Sequence, residues 1–156
     1  MMMPVRFRTI ALALAIGLTS PAVAQTLEDG AARIRPLAEQ GQARWQNLLG
    51  TCYQSGIGGV SQDYAEALKW YRKAADQGLA LAQNNLGVLY SRGDGVAQDD
   101  GEAYFWFNLA AASAEPGPVQ ESAASNRDLL AAKLAPERLA ALQKRAREWR
   151  PTPPGA

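Results

Sequence analysis

The chain has 156 residues, 47% of them apolar, with sixteen Lys or Arg against fifteen Asp or Glu and no histidine. That length suits one domain with a modest core, and so even a charge balance argues against a general nucleic-acid binder, which is distinctly basic. Without histidine there is no Ser-His or Cys-His pair and no histidine metal ligand.

The opening stretch, MMMPVRFRTIALALAIGLTSPAVAQ, joins a short basic segment (Arg6, Arg8) to an apolar run from about Ile10 to Leu18. Ala22 and Ala24 then supply the small residues of a cleavage site. The run is too short to span a bilayer as a stable helix, so residues 1–24 are expected to be a signal peptide cut between Ala24 and Gln25. Cleavage removes two arginines and no acid, leaving fourteen bases against fifteen acids. The product is expected in the periplasm or outside the cell, and no later segment is apolar enough to cross a membrane. Cys52 is the one cysteine, so no disulfide can form within the chain. Between Thr51 and Tyr53 on a helical pattern, it reads as a buried structural thiol.

The stretch GIGGVSQD, residues 56–63, has the glycine density of a phosphate-cradling loop. An internal repeat gives it a different meaning. From Leu49 the chain reads LGTCYQSGIGGVSQDYAEALKWYRKAADQG, and from Leu86 it reads LGVLYSRGDGVAQDDGEAYFWFNLAAAS. Gly50 and Gly87, Tyr53 and Tyr90, and Gly56 and Gly93 are 37 apart. Val60 and Val96, Asp63 and Asp99, Glu66 and Glu102, Ala67 and Ala103, and Trp70 and Trp106 are 36 apart. The offset changes inside the glycine run, where a surface turn tolerates an extra residue and a phosphate cradle does not. Both copies follow a helical pattern rather than a strand, and neither has the P-loop lysine. The glycines therefore turn a corner.

Each unit is then a helical hairpin. Leu49 and Tyr53 lie on the apolar face of a first helix, with Gly50 permitting close approach of a partner. Ala67, Trp70, Tyr71, Ala74 and Ala75 recur at helical spacing in the second, which Gly78 ends. Asp63 with Glu66, and Asp99 with Glu102, have capping-box spacing, in which the acid three residues on reaches back to the cap. One hairpin cannot bury its own face, so the units are expected to stack.

These residues resemble the Sel-1-like repeat, a relative of the tetratricopeptide repeat. The first copy carries the pattern on Leu49, Gly50, Tyr53, Gly56, Val60, Asp63, Ala67, Trp70, Tyr71, Lys73, Ala74, Ala75 and Gly78. The second carries it on Leu86, Gly87, Tyr90, Gly93, Gly95, Val96, Asp99, Ala103, Trp106, Phe107, Ala110 and Ala111. The resemblance implies an all-α fold: a short right-handed α-solenoid of stacked helical hairpins. It departs from the pattern at Phe107 and Asn108, at Trp45 (opposite Ala82), and where the second unit ends without a glycine. PLAEQG, residues 36–41, parallels KAADQG, residues 73–78, so residues 25–41 read as the back helix of a truncated repeat. Repeats follow at 42–78 and 79–113. Residues 114–149 read as two capping helices, the second with Pro136 in its first turn and Leu139, Leu142, Ala146 and Trp149 on one face. Leu68 and Lys69 of the first unit become Tyr104 and Phe105 in the second, as expected if the cap covers that face. Residues 150–156, RPTPPGA, read as a disordered tail.

The resemblance implies protein partners, and the geometry of the related tetratricopeptide fold places an extended peptide in the groove lined by the first helices. The positions out of phase with the core are Arg44, Asn47, Thr51 and Gln54 in the first unit, and Leu81, Asn84, Val88 and Ser91 in the second. Asn47 and Asn84 share a repeat position, and stacked amides can grip a peptide backbone; Arg44 can take a carboxylate. The expected function is a non-catalytic, exported protein–protein adaptor, with no cofactor and no metal. Two alternatives stand beside it. A small cell-wall or β-lactam hydrolase would need an acid, base or nucleophile that the sequence does not assemble: no serine has a lysine three residues on, and the capping spacing accounts for Asp63, Glu66, Asp99 and Glu102. An envelope-binding protein would use the basic residues Lys144, Arg145, Arg147 and Arg150, which also suit the C-terminal end of a helix dipole. Asp94, Asp99, Asp100 and Glu102 could hold Ca²⁺ but lack EF-hand spacing, and they read as a solvated loop with capping acids.

Overall fold

A computed structural model describes residues 30–153; the expected signal peptide, the first residues after it and residues 154–156 lie outside the described residues. Among these there are seven helices and no strand: α1 (Ala31–Glu39), α2 (Ala43–Ser55), α3 (Tyr64–Asp76), α4 (Ala80–Arg92), α5 (Asp100–Ser113), α6 (Pro118–Ala131) and α7 (Pro136–Glu148). Each helix from α1 to α5 packs on the next, α4 also touches α6, and α7 lies back on α5. The hairpins α2–α3 and α4–α5 are the two repeats. α1 and α6 stand at either end of the stack, and α7 covers the back of α5.

The starts of α3 and α5 are built alike. Asp63 accepts from the Glu66 amide at 3.0 Å, and Asp99 accepts from the Gly101 and Glu102 amides at 2.8 and 3.1 Å. Each such cap contributes about 1 kcal/mol. The reciprocal half of the expected capping box is not made. The Asp63 N–H donates to the Tyr53 carbonyl at 2.8 Å, and the Asp99 N–H to the Tyr90 carbonyl at 3.0 Å. The hairpin brings a carbonyl left over at the end of one helix to the amide left over at the start of the next. Both glutamates are thereby free for other partners: Glu66 accepts from Trp70 Nε1 at 3.1 Å, and Glu102 accepts from Arg145.

A smaller core gathers Ala31, Ile34, Ala38, Leu49, Cys52 and Trp70, and a larger one runs from α3 onward. Cys52 is fully buried, and burial pushes its thiol pKa up. Trp45 is half-buried against the smaller cluster, while Ala82, its counterpart, is wholly inside. Tyr71, Phe105, Trp106 and Phe107 are all fully buried, each removing enough apolar surface for about 1.5–3 kcal/mol. Gly50 and Gly87 make the close approach expected of them. A Cβ at Gly50 would sit 2.7 Å from the Tyr71 ring, and one at Gly87 would sit 2.8 Å from Phe107.

The turn after each front helix also docks one unit on the unit before. The Gly58 carbonyl accepts the Ala31 N–H at 2.6 Å, and Gly95 lies so close to the Tyr64–Ala65 peptide that a Cβ would fall 2.5 Å from the Tyr64 carbonyl carbon. Gly58 and Gly95 are therefore equivalent, and the extra residue of the first turn is Gly59, beside which a Cβ meets nothing within 4 Å. At the start of α5 Arg138 of α7 stands where such a turn would sit, paired with Asp99 at 2.6 Å. The neighbouring Arg145 guanidinium lies 3.8 Å from the centre of the Phe105 ring. Lys69, exposed in the first unit, thus becomes a buried Phe105 where α7 covers the face. Beyond α7, the Thr152 N–H donates to the Asp76 carbonyl at 2.7 Å. The early part of the stretch expected to be a disordered tail is therefore laid against the end of α3, because that carbonyl has no partner inside its own helix.

Candidate peptide-binding site

The front helices α2 and α4 place the expected groove residues in three different situations. Arg44 and Leu81 are exposed. Val88 is half-buried against the core, and the Ser91 hydroxyl donates to the Val88 carbonyl at 2.9 Å. Asn47, Thr51, Gln54 and Asn84 are drawn into the packing. Asn47 is buried, and its Oδ1 accepts from Asn85 Nδ2 at 3.1 Å, joining α2 to α4. The amide ladder thus runs from Asn47 to the neighbour of Asn84 rather than to Asn84 itself. Asn84 Oδ1 is buried and has no partner among the described residues.

Thr51 and Gln54 hold a phenol. The Tyr71 hydroxyl donates to Gln54 Oε1 at 2.6 Å and lies 3.2 Å from Thr51 Oγ1. Burial pushes the Tyr71 pKa up to about 12, with the Thr51 hydrogen bond acting the other way. The same three positions in the second unit are Val88, Ser91 and Phe107. Where the hydroxyl is absent, its partners are absent too, so these positions record internal packing as well as surface chemistry.

Two sets of bonds that sequence reasoning passed over tie the units together. Gln46 Nε2 donates to the Ala38 carbonyl at 3.1 Å, and Gln83 Nε2 to the Ala75 carbonyl at 3.2 Å. Gln77 and Ser113 then donate to the amide oxygens of Gln46 and Gln83, at 2.7 and 3.2 Å. Ser113 thereby does for the second unit what Gln77 does for the first, though no glycine follows it. Arg35 donates to the Tyr53 hydroxyl, and Arg72 to the Tyr90 hydroxyl at 3.0 Å. The signal was present, since Gln46 and Gln83, like Arg35 and Arg72, are 37 apart.

No group of three or more His, Cys, Asp or Glu side chains among the described residues is placed to hold a metal ion. Asp99 is engaged by backbone amides and Arg138, and Glu102 by Arg145. No described helix is long and apolar enough to cross a membrane.

Hairpins that recur at a near-constant offset, joined by the same side-chain bonds at the α1–α2 and α3–α4 junctions, define a helical-repeat solenoid. The chain carries two Sel1 repeats: the Sel1 repeat model matches residues 45–79 and 80–114. It is similar to the crystal structure of c5321, described as a protective antigen present in uropathogenic Escherichia coli strains displaying an SLR fold. The two share 26% identity at a TM-score of 0.71, with 94% of this chain and 30% of that chain covered. This chain therefore spans less than a third of that protein's length. It is also similar to a Sel1 repeat protein from Oxalobacter formigenes, with 27% identity, a TM-score of 0.62, and 91% and 67% of the two chains covered. No curated protein matches the sequence. Sel1-repeat proteins generally mediate protein–protein interaction and are typically non-catalytic scaffolds.

Proposed function

We propose that this chain is an exported, non-catalytic adaptor that holds an extended segment of a protein partner along the front faces of α2 and α4. The observation that carries the reading is the pair of Sel1 repeats, a module of protein–protein contact. The Asn47–Asn85 bond supports it by setting the open edges of the two front helices side by side. Arg44 offers a guanidinium to an acidic group, Leu81 an apolar surface, and Asn84 an amide beside them. The reading of residues 1–24 as a signal peptide supports export.

The test is crosslinking and recovery of the tagged full chain from its own cell compartment, comparing wild type with Arg44→Ala/Asn84→Ala and with Lys144→Glu/Arg145→Glu. A specific protein partner lost only in the first variant is expected. Partner loss confined to the second variant, or no specific protein at all, overturns the groove. Retention of residues 1–24 on the soluble cytoplasmic product, read by mass spectrometry, overturns export.

A further inference from the structure

The junction of α5, α6 and α7 contains a polar cleft. It is lined by Tyr104 and Asn108 of α5, Arg127 and Asp128 of α6, and Gln143 and Arg147 of α7, and it encloses about 380 Å³. Its origin lies in the repeat. Asn108 stands where the first unit has Arg72, the residue that reaches across to the Tyr90 hydroxyl of the next front helix. In the last unit the side chain is shorter, and the helix it faces presents Arg127. The bond that closes the earlier junctions has no counterpart here, and the space remains open.

We infer that this cleft is a binding site for a carboxylate monoanion. The charge within it sets the class. Arg127 pairs with its neighbour Asp128 at 2.8 Å, so the two cancel, and the Arg147 guanidinium has no ion-pair partner among the described residues, its backbone carbonyl accepting from Arg150. The net charge of one positive suits a single negative charge, whereas a phosphate monoester brings nearly two. A planar guanidinium matches the two oxygens of a carboxylate, and the Asn108 and Gln143 amides with the Tyr104 hydroxyl add neutral hydrogen-bond donors around it. The volume is at the small end of ligand pockets, which fits a short organic acid or the C-terminal carboxylate of a peptide rather than a large ligand. The site is built from residues outside the expected groove, so it stands or falls independently of that reading.

The test is NMR titration of the full chain with four probes: sodium acetate, acetyl-trialanine with a free C-terminus, the same peptide as its C-terminal amide, and inorganic phosphate. Shifts at residues 104, 108, 127, 143 and 147 with acetate or the free peptide, and none with the amide, are expected. Acetate alone would mark a small acid as the ligand, and the free peptide alone would mark a chain terminus. Arg147→Gln, at an exposed position, should weaken binding about tenfold or more, while Lys144→Gln, the same loss of charge outside the cleft, should not. Equal binding of the amide, equal weakening in both variants, tighter binding of inorganic phosphate than of either carboxylate, or no shift with any probe each overturns the assignment.

Discussion

Tyr71 shows how a single atom dictates its surroundings. Its hydroxyl is held by Gln54 and lies beside Thr51, and the unit that has Phe107 in its place has Ser91 and Val88 instead. Tyr71→Phe alone is expected to cost about 1 kcal/mol at neutral pH, because Gln54 and Thr51 lose a partner while the ring still fills its site against Gly50. Adding Thr51→Val and Gln54→Ser reproduces the set of the second unit and should recover much of that loss, a non-additivity measurable in urea melts of the single and triple variants. The alkaline behaviour follows from the same burial. The folded pKa is raised to about 12, whereas an unfolded tyrosine titrates near 10. Stability from this group is complete below about pH 10 and is lost as pH rises from there through about 12, since only the unfolded chain gives up its proton in that window. Tyr71→Phe should flatten this limb of the pH profile; an unchanged limb would show that other groups set it.

At the scale of the element, the turns do more than reverse the chain. Their glycines seat each unit on the start of the previous back helix, and the extra residue of the first turn is confined to open space. Deleting Gly59 should therefore change stability by no more than about 1 kcal/mol, as the second unit already has the shorter turn. Gly95→Ala should cost distinctly more. A left-handed backbone with a side chain costs about 1–2 kcal/mol, and here the methyl group would also meet the Tyr64 backbone. Thermal melts of the two variants separate the cases, and equal losses would mean that the turn does not dock. The helix starts carry a related lesson. The capping-box spacing was correct for the aspartates, but the glutamates serve other partners because the hairpin itself satisfies the cap amide.

For the whole molecule, the last helix completes the stack by ion pairs that occupy the place of a missing turn. Burial pushes the Asp99 carboxyl up, but the Glu102 and Gly101 amides and Arg138 outweigh it and leave the pKa lowered. Its stabilisation is complete above the unfolded aspartate value of about 3.9 and is lost as pH falls below that through the lowered folded value. Asn also caps helices well, so Asp99→Asn should keep the start of α5 while removing the tie to α7. The expected result is a shallower loss of melting temperature between pH 5 and pH 2, followed by circular dichroism, and an acid limb as steep as wild type would contradict it.

The sequence alone determined the hairpin, its period, its core aromatics and its family, because each of these is a local pattern repeated twice: helical spacing, a cap and a glycine turn. Repetition also contained the Gln46–Gln83 and Arg35–Arg72 pairs, but identity at a fixed offset does not say which neighbour a polar side chain will reach. That depends on how one unit is set against the next. Only the tertiary structure decided that Asn47 meets Asn85, that Thr51 and Gln54 serve a buried phenol, and that Glu102 turns to Arg145. It likewise decided that replacing an arginine by Asn108 at the last junction leaves a polar cleft, since an opening is defined by what three separate helices leave unfilled.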